Sequence, residues 1–443
     1  MKTKPRSKAD PIERQIESAF RPETFIRDGE CFSFVSGLEE VAAVIDALAA
    51  TDPARAVALY GAFLAGCHAK ADELDDSSGS FAQFYRDLVC KWIKCRPATG
   101  ADPHKTASTL LVWMADDPYA FCYRIEKDAA AAFDKAGLAA FEMQVRERFD
   151  AAAADPSSWT YRRTAQILRE IYIAQKDIHA YVELAEQTEL KPEDCLAIAK
   201  MLVRMKPNEA LGWVERGRIL DQETQFRSTV AYSLDELHRE LLSKLGRADE
   251  ALAEAWDDFR KHPSKFTYDD LMKFVPTTER TTWHEKALNA ASGADLHSLL
   301  ELFTETEEME RLADLVRKSS DEALEKVSHF ATELAAKRLE KNHPGLAARL
   351  WRAQGMRILD AKKSKYYNAA LSNFEQARDC YQRAELATEW EQTVRWVCRS
   401  HYRKTGFISG FQALAAGSQR SEPPSFLEHA NTRWGERHGR DAC

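Results

Sequence analysis

Apolar residues return every three or four positions through most of this chain, the spacing that puts them on one face of an α-helix. Leu234, Leu237, Leu241, Leu242 and Leu245 trace one such stripe, which Gly246 closes. The next stripe runs from Asp249 through Ala251, Leu252, Ala255 and Phe259 to a stop near His262-Pro263. Leu296, Leu299, Leu300 and Phe303 predict another helix, and Met309, Leu312 and Val316 the one after it. Leu324, Val327, Ala331 and Leu334 predict a longer helix capped by Ser320, with Glu322 placed to pair with Lys326. Thr267 and Asp270 read as a capping pair ahead of Leu271. Alternating apolar and polar runs are scarce, and Phe32-Ser33-Phe34-Val35 is the best strand candidate.

Three stretches repeat one shape. Asp52-Pro53 leads to Ala56 and Leu59-Tyr60; His343-Pro344 leads to Ala347 and Leu350-Trp351; Pro207 leads to Ala210-Leu211 and Trp213. Proline suits the first helical turn, alanine lets a neighbouring helix come close, and the bulky pair fills the groove between them. Connections such as Thr51-Asp52, Lys206-Pro207 and Asn342-His343 are short, so successive helices should pack antiparallel. The expectation is an all-α fold, a right-handed α–α superhelix of stacked helical hairpins of degenerate tetratricopeptide-like type. It divides into a loose N-terminal arm (1–22), N-terminal hairpins (23–155), central repeats (156–265), C-terminal repeats (266–416) and a polar tail (417–443) containing Pro423-Pro424. One continuous array is expected, with the alanine-rich stretch from Asp128 to Asp155 as its weak seam.

Composition supports helices and narrows the rest. Glycine and proline are sparse, 18 and 15 in 443 residues, while hydrophobic residues make up 44% and charged residues 30%. A net charge of −8 argues against a protein that coats nucleic acid indiscriminately. The nine cysteines are scattered, with no Cys-x-x-Cys pair and no zinc-finger spacing, as expected of reduced thiols in the cytoplasm. The segment Met1 to Gln15 has no apolar core for a secretory signal, and no apolar run reaches membrane-spanning length.

Three blocks together resemble a bacterial family of helical proteins of unknown function. The first joins Asp52-Pro53 through Tyr60 to Glu73-Leu74-Asp75-Asp76-Ser77-Ser78-Gly79 and Phe84-Tyr85-Arg86-Asp87. The second, Leu245-Gly246-Arg247-Ala248-Asp249-Glu250-Ala251-Leu252, looks like half a tetratricopeptide repeat. The third runs from His343-Pro344 through Lys362-Lys363-Ser364-Lys365-Tyr366-Tyr367 to Trp390 and His401-Tyr402-Arg403-Lys404. This last block is similar to the helical region C-terminal to SWIM-type zinc fingers, although the Cys-x-Cys and Cys-x-His ligands of those fingers are missing. The resemblance covers roughly residues 25–415 and implies a stacked α-helical array with no established chemistry.

Candidate chemistry falls in two places. Asp75, Asp76, Ser77, Ser78 and Gly79 read either as a turn that satisfies freed backbone N–H groups or as oxygen ligands for a hard cation such as magnesium. From Lys337 to Tyr367 cations predominate, with Arg349, Arg352, Arg357, Lys362, Lys363 and Lys365 running into Tyr366 and Tyr367; His401, Arg403 and Lys404 extend the belt. Those side chains suit single-stranded nucleic acid, an acidic partner protein, or simple solvation of helix faces. Phosphate-loop, His-Glu-x-x-His and Gly-x-Ser-x-Gly motifs are absent, and His284-Glu285 has no second histidine one turn on. No catalytic residue, cofactor or metal is assigned. The leading expectation is a non-catalytic scaffold that binds a protein in the cytoplasm. A nucleic-acid binder using residues 337–367 comes second, and a metal-dependent enzyme using Asp75 and Asp76 last.

Overall fold

Proline at the first turn, alanine one turn in and a bulky pair beyond it produce the same local structure at each recurrence. The computed structural model describes residues 11–21, 24–223 and 226–417. Asp52 accepts a hydrogen bond from the Arg55 N–H, and the helix that follows buries Ala56, Leu59 and Tyr60. The helices opened by Pro344 and Pro207 bury Ala347, Leu350 and Trp351, and Ala210 and Leu211, in the same way. The fold is all-α, built from consecutive helices packed as hairpins. Among the described residues there is no strand, only an isolated parallel bridge between Ile26 and Leu74.

Contacts divide the chain into two compact units, Met1–Leu241 and Leu242–Cys443. The first holds α1 (Pro11–Ala19), α2 (Asp28–Ala49), α3 (Pro53–Lys70), α4 (Ser80–Cys95), α5 (Pro103–Ala115), α6 (Glu126–Ala132), α7 (Lys135–Ala151), α8 (Trp159–Gln175), α9 (Ile178–Gln187), α10 (Pro192–Leu202) and α11 (Pro207–Glu223). The division falls within α12 (Ala231–Lys244). The second unit continues with α13 (Ala248–Lys261), α14 (Lys265–Phe274), α15 (Arg280–Ala290), α16 (Leu296–Glu305), α17 (Met309–Lys318), α18 (Asp321–Lys326), α19 (His329–Leu339), α20 (Pro344–Asp360), α21 (Tyr367–Arg383), α22 (Ala387–Ser400) and α23 (Thr405–Ala415).

Several sequence expectations need correction. The N-terminal arm is not loose throughout: residues 11–19 form α1, which buries Ile16 and packs on α2 and α3. Residues 1–10 of that arm, and 418–443 of the tail with Pro423, Pro424 and Cys443, lie outside the described residues. Phe32-Ser33-Phe34-Val35 is helical, inside α2, because Cys31, Val35 and Leu38 face the core at helical spacing. The single helix expected from Ser320 to Leu334 is two. Ser320 does cap, accepting from the Ala323 N–H, but the backbone turns extended at Val327 and Ser328 caps a new helix. Thr267 is not the first capping residue of α14: Ser264 is, with Thr267 completing the reciprocal pair three positions on. The alanine-rich stretch is no seam, since α7 packs closely on both α5 and α8 within the first unit.

The second unit has its tightest pairing at α20 and α21, and glycine explains it. A Cβ on Gly355 would stand 2.6, 2.8 and 2.9 Å from three ring carbons of Phe374, which is itself fully buried. With no side chain at Gly355, the two helices close to a distance that a methyl group would forbid. Phe374 then packs against Phe407 and Phe411 of α23, with ring centroids 6.0 and 5.0 Å apart. This rigid block carries the candidate site.

Candidate binding groove

The segment between α20 and α21 decides where the C-terminal cations go. α20 ends at Asp360, Lys362 takes a left-handed conformation (φ 54°), and one 3-10 turn, Ser364–Tyr366, leads into α21. Lys362, Lys363 and Lys365 are therefore thrown out on an exposed corner instead of continuing along a helix. Clefts open on both sides of it. The first, of about 500 Å³, lies between α19, α20, the corner and α21. Its wall includes His329 and Glu333 from α19, Gln354, Arg357 and Ile358 from α20, Lys363 and Tyr366 from the corner, and Asn373 from α21. The second, of about 520 Å³, gathers Lys365 and Tyr367 with Arg403 and Lys404 from the turn before α23 and Thr405 at its first position.

The belt read from the sequence does not act as one surface. Arg349 and Arg352 pair with Asp321, and Arg352 also reaches Glu325 at 3.2 Å. They tie α20 to α18 and have little charge left for a ligand. Arg357 donates one guanidinium N–H to the Val327 carbonyl at 3.1 Å and lines the first cleft with the remainder. Lys337 and Arg338, at the edge of the belt, pair with Glu333 and Glu307. Tyr367 packs inward against Phe407, ring centroids 5.7 Å apart, while Tyr366 stays exposed under the Lys365 ammonium, 4.9 Å from its ring centroid. Arg403 covers the Tyr402 ring similarly at 5.4 Å. Lys404 donates to the Leu359 carbonyl, and desolvation, aided by Lys362, pushes its ammonium pKa down against the pull of Asp360. His401 is buried beside Trp396, its Nε2 3.7 Å from Asp360. Trp390 is half-buried and packs on Tyr381 and Phe411, whereas Trp396 is exposed.

The acidic motif near the N-terminus is engaged by neighbouring backbone N–H groups and by side chains. Asp76 accepts the N–H groups of Phe81 at 2.9 Å and Ala82 at 2.8 Å, the orphan donors at the start of α4. Asp75 accepts the Ser77 N–H and hydroxyl, the Ser78 N–H goes to Asp28, and Gly79 supplies the left-handed residue (φ 73°). That arrangement accounts for the motif as a turn. Among the described residues no group of three His, Cys, Asp or Glu side chains is placed to hold a metal ion. His284 instead bridges Tyr268 and Glu308, 2.7 and 3.0 Å away.

Sequence reasoning missed Gln354, Asn373 and His329. Their signal was faint but present: 329 and 333, and 354, 357, 358 and 361, recur at helical spacing, so each set shares one helix face. Nothing in the sequence indicated that the two faces meet.

A model of a family of unknown function, DUF6880, matches residues 1–409. The chain belongs to that family. Through the DUF6880 match the helical unknown-function resemblance holds over nearly the whole chain. No curated protein matches this DUF6880 member. Among solved structures, it is similar to one described as Naa15/Naa10 bound to HypK-THB, with 13% identity and a TM-score of 0.33 over 94% of this chain and 68% of the other. A circular tandem repeat protein with novel repeat topology is similar at 10% identity and a TM-score of 0.20, covering 92% and 95%. Among the described residues of this DUF6880 member, no helix is long and apolar enough to cross a membrane.

Proposed function

We propose that this protein is a non-catalytic helical-repeat scaffold that binds a partner protein in the cytoplasm. The observation carrying this reading is the groove between α19, α20 and α21, walled by three successive helices, with exposed apolar side chains next to its lining residues along α19. On α19, Phe330 is 73% exposed and Leu334 38%, one turn apart beside the lining residues His329 and Glu333. Large aromatic side chains left in water next to a polar-lined groove are features of protein recognition surfaces. A rigid repeat surface loses little conformational freedom on binding, which favours association. The eight described cysteines are free thiols, in keeping with a reducing compartment.

The nucleic-acid reading retains support in one feature, the second cleft, where Lys365, Arg403 and Lys404 line a wall without a carboxylate. It is weakened because Arg403 Nε already donates to the Tyr402 hydroxyl at 2.8 Å and Lys404 to the Leu359 carbonyl, so two of the three cations are engaged within the chain. The resemblance read from the sequence between the last block and the helices that follow SWIM fingers is not part of the family match and adds no chemistry to either reading.

The test is affinity purification of the full chain from native extract, followed by hydrogen–deuterium exchange on the recovered complex. Slower exchange in α19, α20 and α21 is the expected result. Recovery of no reproducible partner by the folded protein, or protection confined to other helices, overturns the reading.

A further inference from the structure

The groove between α19, α20 and α21 has a chemical character of its own, beyond being available. Gln354 lines it while only 5% exposed, and its side-chain amide nitrogen has no hydrogen-bond partner. A buried amide donor left unmade is costly, so such groups are satisfied in nearly all folded proteins. Asn373 lines the same groove from the neighbouring helix. A carboxamide offers both donor and acceptor, and two of them on adjacent helices suit the alternating N–H and C=O groups of an extended peptide. Ala361 and Ala369 line the same groove with small side chains.

The charges are as one-sided as the amides are neutral. Lys363 is exposed on the corner and faces the groove, and Arg357 keeps guanidinium nitrogens beyond the one given to Val327. The lone carboxylate of the wall, Glu333, is held by Lys337 at 2.6 Å. Across the corner, the second cleft adds Lys365, Arg403 and Lys404 and no carboxylate. The nearby Asp360 is turned toward His401. In a chain with a net charge of −8, this is a local reversal of sign that attracts acidic chains and repels basic ones.

Resting on the scaffold reading, we infer that the groove docks an extended acidic segment of the partner protein. Gln354 and Asn373 hold its backbone, Arg357 and Lys363 pair with its Asp or Glu side chains, and Tyr366 with Ile358 covers an apolar side chain between them. Nucleic acid shares the negative charge, but Ile358, Ala361 and Ala369 give the groove an apolar lining that suits an apolar side chain and not a phosphate backbone.

The test is selection of a displayed random dodecapeptide library on the full chain, with binding of the selected peptides then measured by fluorescence anisotropy. Selected peptides enriched in Asp and Glu are expected. Lys363→Glu should weaken them about tenfold or more and Asn373→Ala severalfold, while Lys105→Glu, an exposed charge in the first unit, should leave them unchanged. An unselective or basic consensus overturns the inference, as does equal weakening by Lys363→Glu and Lys105→Glu. So does an oligouridine that displaces the peptides at lower concentration than they bind. If the peptides fail while the natural partner still protects α19 to α21 from exchange, the acidic chemistry falls and the scaffold stands. If neither engages the groove, both fall.

Discussion

Arg349 and Asp321 are joined through two guanidinium nitrogens, Nε at 2.9 Å and Nη2 at 2.7 Å from the same carboxylate oxygen. The same guanidinium donates to the carbonyls of Val316 and Ser319, each at 2.7 Å, closing the C-terminal end of α17. One side chain of α20 thus satisfies groups on two other segments, in partly buried surroundings where charge-assisted bonds are strong. Arg349→Ala should cost about 2 kcal/mol of stability, whereas Lys363→Ala should change it by less than about 0.5 kcal/mol. Denaturant unfolding of the two variants side by side checks the contrast. Equal losses would mean that Arg349 is as free as the sequence made it look.

Gly355 sets the distance between α20 and α21. Gly355→Ala should destabilise by about 1–3 kcal/mol, although alanine is the better helix former, because the added methyl strikes the Phe374 ring. A Gly355→Ala, Phe374→Leu double variant should recover part of that loss if the clash is its cause. Thermal melts of the three proteins decide the matter.

Asp76 anchors the first turn of α4. Asp76→Ala should lower stability by about 1–2 kcal/mol through the freed N–H groups of Phe81 and Ala82. Magnesium or a chelator should leave the melting temperature of the parent protein unchanged. A melting temperature that rises with magnesium and stops rising in Asp76→Ala would restore the metal reading.

His401 gives the second unit a dependence on acid. Burial lowers its imidazole pKa below the ordinary 6.5, with Lys404 acting in the same direction and Asp360 against it. A depressed folded pKa means that protonation favours the unfolded chain. Its contribution to stability is therefore present above 6.5 and is lost as pH falls through the folded value. His401→Gln should flatten the fall in stability below pH 6.5, measured by denaturant midpoints across that range. A slope unaltered by the substitution would assign the acid sensitivity to other groups.

Much of this fold was legible before any coordinates. Pro53, Pro207 and Pro344 open helices where the pattern placed them, and the stripes around Leu241, Phe259, Phe303 and Val316 are buried as predicted. Helical periodicity is a local property, written in residues three and four positions apart, so the chain alone determines it. The break at Val327 was hidden because α18 and α19 both keep apolar residues at plausible helical steps, and only the extended backbone between them separates the two.

What a charge does is a different matter. Arg349, Arg352 and Lys363 look alike in sequence, yet the first two are tied to Asp321 and Lys363 is left facing a groove. Asp321 is 28 positions from Arg349, and Gln354 and Asn373 line one groove from helices that Gly355 lets come close. Local pattern was enough for the rods and their oily faces. Tertiary structure alone decided which cations are neutralised and which amides share a wall, because those pairings depend on distances through space between segments far apart along the chain.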